Sequence, residues 1–238
     1  MIEKFLEDVR PYFNAYPLMS RDPGAEPDGN GILYAGTYGL LYARLFGVYE
    51  NAAAHSVILY KSSYLPDQPG VITRGPHKWE DPQTHDDYIG LASLSFLGGS
   101  GAAKAIALHG STHGWSFRRK GRNDLREVFN AQFWRLPGLV QHLKLCAKED
   151  WNWFDCAFWA IGVFSGSFVR HGDTSGTILK WHFIRVYEQS GKKNWLCDWA
   201  VRKWKLKINS LYQNAMGDVF GIYYGTEHPF AKWALGLL

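Results

Sequence analysis

Apolar residues along this chain recur at three- and four-residue spacings, the period of a helix that packs on one side. Residues 2–14 are amphipathic in this sense. After the turn-rich stretch from Pro23-Gly24 to Gly29-Asn30-Gly31, an apolar helix is predicted over about 32 to 46. A second apolar stretch runs from about 50 to 61, and a long polar loop over 66–83 leads into a helix starting at Thr84. Gly98-Gly99 ends that helix, and another short one reaches His109. Asp124 is placed to cap a helix to Trp134, Leu136-Pro137 to open another, and Trp151 to Ser165 to continue the pattern. Asp173 or Thr174 caps a helix through Tyr187, and residues 193–209, 210–220 and 228–237 read as three more. No stretch alternates with period two, so strands are few.

About eleven or twelve modest helices joined by short turns predict an all-α fold of antiparallel helical hairpins in a single domain, 1–238. An α/α-toroid-like arrangement brings the loops at 22–30, 74–87 and 109–116 to one rim. There is no fixed-period repeat, which disfavours a regular solenoid. With 46% hydrophobic and 20% charged residues over 238 positions, the chain can bury a substantial core. Its net charge of +4, from 26 basic and 22 acidic residues, is too small to make nucleic acid the expected partner. The basic run Arg118-Arg119-Lys120-Gly121-Arg122 reads as a solvated turn. Cys146, Cys156 and Cys197 are odd in number and lack a CxxC pair, so reduced, buried thiols are expected. The N-terminus carries acids within its apolar pattern, unlike a secretion signal, and no apolar run reaches the roughly eighteen residues of a membrane span.

Chemistry concentrates in Arg74-Gly-Pro-His-Lys-Trp-Glu-Asp-Pro-Gln-Thr-His-Asp-Asp-Tyr-Ile-Gly90, where histidines, adjacent aspartates and a tryptophan crowd a loop entering a helix. Thr84 with Asp87 forms a capping-box pattern. Successive helical residues diverge by about 100°, so only one of Asp86 and Asp87 faces a cavity, and Asp87 is the structural choice. Asp86, His85 and Asp28 are therefore the candidate catalytic residues, with Asp86 as acid and Asp28 or His85 as base. Asn30, His77 and His113 are candidate substrate-binding residues. Trp79 and Trp115, in Gly-, His-, Ser- and Pro-rich loops, are candidate platforms for a sugar ring.

His109 and His113 have metal-ligand spacing if they share a helix, but Gly110 and Gly114 predict a loop, and no metal site is assigned. His85-Asp86 resembles the dyad of HD-type phosphohydrolases, with His55 and Asp155 as further ligands; a structural histidine is the commoner role for His55. Lys180 and His182 fall on the exposed face of their helix. Phe164-Ser-Gly-Ser-Phe168 lacks a nucleophile elbow, and Gly98-Gly-Ser-Gly101 lacks a phosphate-loop context.

Four segments, Asp28-Gly-Asn-Gly-Ile-Leu-Tyr-Ala-Gly-Thr-Tyr-Gly-Leu-Leu, Thr84-His-Asp-Asp-Tyr-Ile-Gly, Trp134-Arg-Leu-Pro-Gly-Leu-Val and Gly176-Thr-Ile-Leu-Lys-Trp, resemble a group of uncharacterised all-helical proteins of tailed bacteriophages. That resemblance spans most of the chain and implies a phage origin, with a place in the host cytoplasm or on the virion, and no mechanism. The Asp-Gly-Asn-Gly loop and the aromatic richness also resemble the six-hairpin, α/α-toroid carbohydrate-active enzymes, which are longer. The resulting expectation is a glycan-cleaving hydrolase or lyase acting on a bacterial polysaccharide or peptidoglycan by general acid/base chemistry, without a cofactor. The alternatives are a non-catalytic phage accessory or virion protein that binds a host protein or glycan, and an HD-type phosphohydrolase.

Overall fold

A helix that is apolar or small on every side has to be wrapped by others, and residues 85–98 form such a helix: every position from Asp87 to Ser95 is buried. The computed structural model describes residues 1–14, 17–26, 29–76, 80, 84–122, 128, 131–164, 175–211 and 227–235. Within them the chain is mostly helical: α1 (Ile2–Val9), α2 (Gly31–Phe46), α3 (Ala52–Ser63), α4 (His85–Gly98), α5 (Ala102–Thr112), α6 (Leu139–Cys146), α7 (Trp153–Phe164), α8 (Ser175–Ser190), α9 (Trp195–Leu211) and α10 (Pro229–Leu235). Helix α4 packs against α2, α3, α5, α6 and α8. The all-α architecture is the expected one. The described residues do not establish the ring of a toroid, because α4 fills the middle of the assembly. Among them, no helix is long and apolar enough to cross a membrane.

Two glycines set how α2 meets α4. A methyl built on Gly90 would sit 2.5 Å from the Leu33 Cα, and one on Gly36 would sit 2.5 Å from the Gly90 Cα. One turn on, Gly39 meets Leu94, so the two helices ascend together and run parallel. Ala53 of α3 lies against Gly98, which makes α3 antiparallel to α4. Gly99, in the left-handed region at φ +66°, closes α4 as expected and returns the chain into α5. Ser95 Oγ binds that turn, accepting from Ala103 N–H at 3.0 Å and donating to the Ser100 carbonyl at 3.0 Å.

Several local expectations need correction. The 66–83 loop contains half of a short antiparallel hairpin, β1 (Tyr64–Leu65) and β2 (Gln68–Ile72), which proline and glycine concealed from the period-two pattern. Gly70, at φ +90°, lets β2 lie against the backbone of Ala105 on α5. The helix after Leu136-Pro137 begins only at Leu139, beyond a left-handed Gly138. Residues 133–135 form a 3-10 turn, and the rest of the helix expected from Asp124 lies almost wholly outside the described residues, as does the one over 210–220. The three cysteines are free and buried as expected, while Arg119 of the basic turn is buried.

Lys180 and His182 are buried, not exposed. The apolar residues of α8 leave no polar face to define: Ile178, Leu179, Trp181, Phe183, Ile184, Val186 and Tyr187 are all buried. His182 is instead satisfied by hydroxyls from other helices. Thr37 Oγ donates to the Leu33 carbonyl at 3.0 Å, so it accepts from His182 Nε2–H at 2.9 Å. The opposite nitrogen then accepts from the Ser93 hydroxyl at 3.0 Å, and Ser93 Oγ in turn accepts from His142 Nε2–H at 3.2 Å. Cys146 Sγ lies 3.5 Å from that His142 nitrogen. A one-directional relay of hydrogen bonds thus joins α2, α4, α6 and α8. Burial holds His182 down at about 3, and burial together with the neighbouring His182 holds His142 well below the usual imidazole range; burial also pushes the Cys146 thiol well up. The relay is neutral and closed to water.

Two predictions follow from this core. Gly90→Ala drives a methyl into the backbone of α2, where no side chain can move aside, and destabilises the protein by about 3 kcal/mol or more in chemical denaturation; Ala at the open Gly99 lacks that clash and loses only what its left-handed φ imposes. The second concerns acid. His142 and His182, together with His228, which burial and then Arg21 hold at about 3, refuse protons that the unfolded chain accepts near pH 6.5. Stability is therefore complete above about pH 6.5 and falls as pH drops toward 3, by on the order of 1 kcal/mol per pH unit for each such histidine. Denaturation midpoints at pH 7.5, 6 and 5, above most carboxylate titration, check this.

Candidate functional site

Because α2 and α4 run parallel and α3 and α5 run against them, the N-termini of α2 and α4 share one end of the bundle with the C-terminus of α5. The connecting segments converge there. Gly29 lies against the Arg74 side chain, with its φ of +104° permitting the approach. Gln68 holds the basic turn, donating to the Arg118 carbonyl at 3.1 Å and accepting from Lys120 N–H at 2.6 Å. Arg122 pairs with Glu80. Of the segments expected at one rim, 22–30, 74–87 and 109–116, the contact of Gly29 with Arg74 joins the first two, while Gln68 and Glu80 meet the 118–122 turn, which lies beyond the third.

At the start of α4 the two aspartates separate as expected. Asp87 is buried and accepts from the Thr84 hydroxyl at 3.1 Å. Thr84 occupies the N-cap position, but its side chain serves Asp87 rather than a backbone N–H. Asp86 turns the other way and pairs with His85, Oδ1 to Nε2 at 3.1 Å. Their side chains are 16% and 27% exposed, enough for a substrate atom to reach them and little enough to restrict water. Both lie in the first turn of α4, where the N-terminal dipole favours a carboxylate. One turn later Tyr88 anchors this end: its ring packs on Phe117 at 4.7 Å and Phe133 at 4.8 Å, and its hydroxyl accepts from Ile72 N–H at 2.9 Å.

Asn30 sits at the N-cap position of α2, half-buried, and its carbonyl accepts from Tyr34 N–H at 3.0 Å. Helix α5 continues through Thr112, so His109 is helical and His113 is its C-cap, correcting the expected loop. The two imidazoles stack at 4.1 Å and 8° instead of converging on one ion. His109 Nδ1–H donates to the Pro69 carbonyl at 3.0 Å, and burial and then His113 lower its pKa. His113 is exposed and directs Nδ1–H to the His109 carbonyl at 3.0 Å. Trp115 occupies the left-handed region at φ +57° and lays its ring on Gly110, leaving the indole half-buried at the rim. Asp28, His77 and Trp79 lie outside the described residues.

The ligand set of the HD-type reading is not brought together. His55 is at the start of α3, the opposite end of the bundle from His85. Its Nε2–H donates to the Pro17 carbonyl at 2.9 Å and its Nδ1 accepts from the Tyr49 hydroxyl at 3.1 Å, the structural role that its apolar helix suggested. Burial lowers its pKa. Asp155 is bound by Lys144 Nζ at 2.9 and 3.0 Å. Among the described residues, no group of three or more His, Cys, Asp or Glu side chains is arranged to hold a metal ion.

Sequence reasoning missed Arg74 and Tyr88 as the residues that organise the rim. Nothing in the sequence ties Arg74 to the distant Asp-Gly-Asn-Gly loop, and an aromatic early in α4 gave no signal for the second. Comparison with protein-family models, curated proteins and solved structures yields no match to this chain.

Proposed function

We propose that the protein is a glycan-cleaving enzyme whose proton-transfer groups are His85 and Asp86. The observation that carries this reading is their 3.1 Å contact, half-open at the convergent end of the bundle. A carboxylate held against an imidazole orients the ring, and the pair so placed can pass a proton to or from a substrate atom. In hydrolysis the pair gives a proton to the substrate's leaving glycosidic oxygen as the C–O bond breaks and a second base takes one from the attacking water; in elimination a base removes a ring proton and the pair again protonates the leaving oxygen. Asp86 and His85 act as one unit here, and Asp28 is the remaining candidate for the second group. Trp115, flat on Gly110 at the rim, suits a sugar ring stacked on its outer face. A toroid-like arrangement belongs to the same reading, and the phage resemblance makes bacterial polysaccharide or peptidoglycan the fitting substrate class.

The test is release of reducing ends and of unsaturated sugars from a panel of bacterial polysaccharides and peptidoglycan. Asp86→Asn and His85→Gln each lower turnover by about 10²- to 10⁴-fold, with melting temperatures close to that of the parent. Unsaturated products assign elimination, and reducing ends alone assign hydrolysis. Absence of cleavage across the panel overturns the enzyme and leaves the binding protein; cleavage with turnover unchanged in both variants overturns the assignment of His85 and Asp86.

A further inference from the structure

The turn that joins α8 to α9 borders a cavity of about 230 Å³, lined by Trp151, Cys156, Tyr187, Lys192, Lys193 and Asn194. Two of these residues are cations and none is an acid. Lys4, Lys144 and Lys232 each pair with a carboxylate, but among the described residues Lys192 and Lys193 do not. The half-buried Lys192 is held by neutral groups alone: its Nζ donates to the Glu149 carbonyl at 3.4 Å and lies 5.9 Å from the centre of the Trp151 ring. Glu149, Asp150 and Asp198 are the acids of this end, and none of them lines the cavity. Asp198 accepts from the Tyr187 hydroxyl at 2.9 Å, and Lys148 stands beside the other two.

The remaining lining groups divide into ring faces and one amide. The Tyr187 hydroxyl is already used, donating to Asp198 and accepting from Asn194 N–H at 3.0 Å, so Tyr187 offers its ring. That ring lies 6.3 Å from Trp151 and within 18° of its plane, and Trp159 backs it at 4.8 Å. Asn194 Oδ1 caps α9, accepting from Leu196 N–H at 3.0 Å and Cys197 N–H at 3.3 Å, which leaves its Nδ2 donor for the cavity. The volume has room for seven or so waters at about 30 Å³ each, too much for one inorganic ion. It is also below the roughly 300–1,000 Å³ that takes a drug-sized ligand.

We propose that this cavity binds a small organic anion, a carboxylate on a six-membered ring. The ring lies against Trp151 and Tyr187, and the carboxylate meets Lys192, Lys193 and the Asn194 amide, as charge-assisted hydrogen bonds favour. A cationic ligand is disfavoured because Lys192 already occupies the aromatic wall.

Ligand-observed NMR titration of the full chain with benzoate and with glucuronate tests this. Benzyl alcohol and glucose supply a ring without charge, and inorganic phosphate supplies charge without a ring. A ring carboxylate binds with a Kd on the order of 1 mM or tighter, and the three comparison compounds bind at least about tenfold more weakly. Lys192→Gln and Lys193→Gln each weaken binding by about tenfold. Cys156→Met fills part of the cavity and abolishes binding with circular dichroism unchanged; if that variant does not fold, the two lysine variants decide. Binding of benzoate alone assigns an aromatic acid, and binding of glucuronate alone assigns a sugar acid. The proposal is overturned if neither binds, if phosphate binds as tightly, or if affinity survives both lysine substitutions.

Discussion

Everything at the candidate rim depends on how close α2 and α4 can come. Their approach through Gly36 and Gly90 is backbone against backbone, closer than any side chain allows. The pair runs parallel, as helices on either side of one antiparallel arm do, and α3 and α5 run the opposite way. The geometry then leaves no freedom about where the loops go. Asn30 and His85, 55 residues apart in sequence, open their helices at the same end.

The central position of α4 creates a second problem with a different solution. A helix buried on all sides cannot orient its few polar side chains toward water, and Ser93 is fully buried among four helices. An isolated hydroxyl there costs about 1–3 kcal/mol. Thr37, His142 and His182 remove that cost by forming a hydrogen-bonded relay, which also ties α2, α6 and α8 to α4. The same residue type plays opposite parts at the rim. His182 is neutral because it is enclosed, whereas His85 faces a carboxylate and partial solvent.

The fold was legible in the sequence where apolar spacing and punctuation agree. Gly99 and Thr84 bracket α4 as read, and α2, α3 and α7 fall within a few residues of their expected limits. The hairpin at 64–72 was not legible because its strands are short and built from Pro, Gly and Gln. His182 was misread because helical periodicity distinguishes faces only when one face is polar, and α8 is buried nearly all round. At the site, the division of labour between Asp86 and Asp87 was legible from the 100° step between neighbours. The stacking of His109 on His113 was not, since glycines inside a helix carry the same letter as glycines that end one.

The distribution of polar and aromatic groups separates two regions of the molecule. His85, Asp86, Asn30, His113 and Trp115 are all on α2, α4 or the end of α5, whereas α7 packs on α6, α8 and α9 and the cavity at the α8–α9 turn is walled by Trp151 and Tyr187. The two regions solve different physical tasks. The rim combines a carboxylate, an imidazole and a half-covered ring on a scaffold held by Gly90 and Tyr88, the fixed geometry on which the proposed proton transfer rests. The cavity sets two ammonium groups and no carboxylate beside two rings, which suits an anion, and burial pushes its Tyr187 hydroxyl and Cys156 thiol up, away from proton exchange near neutral pH. Binding there therefore draws on no residue that the rim uses.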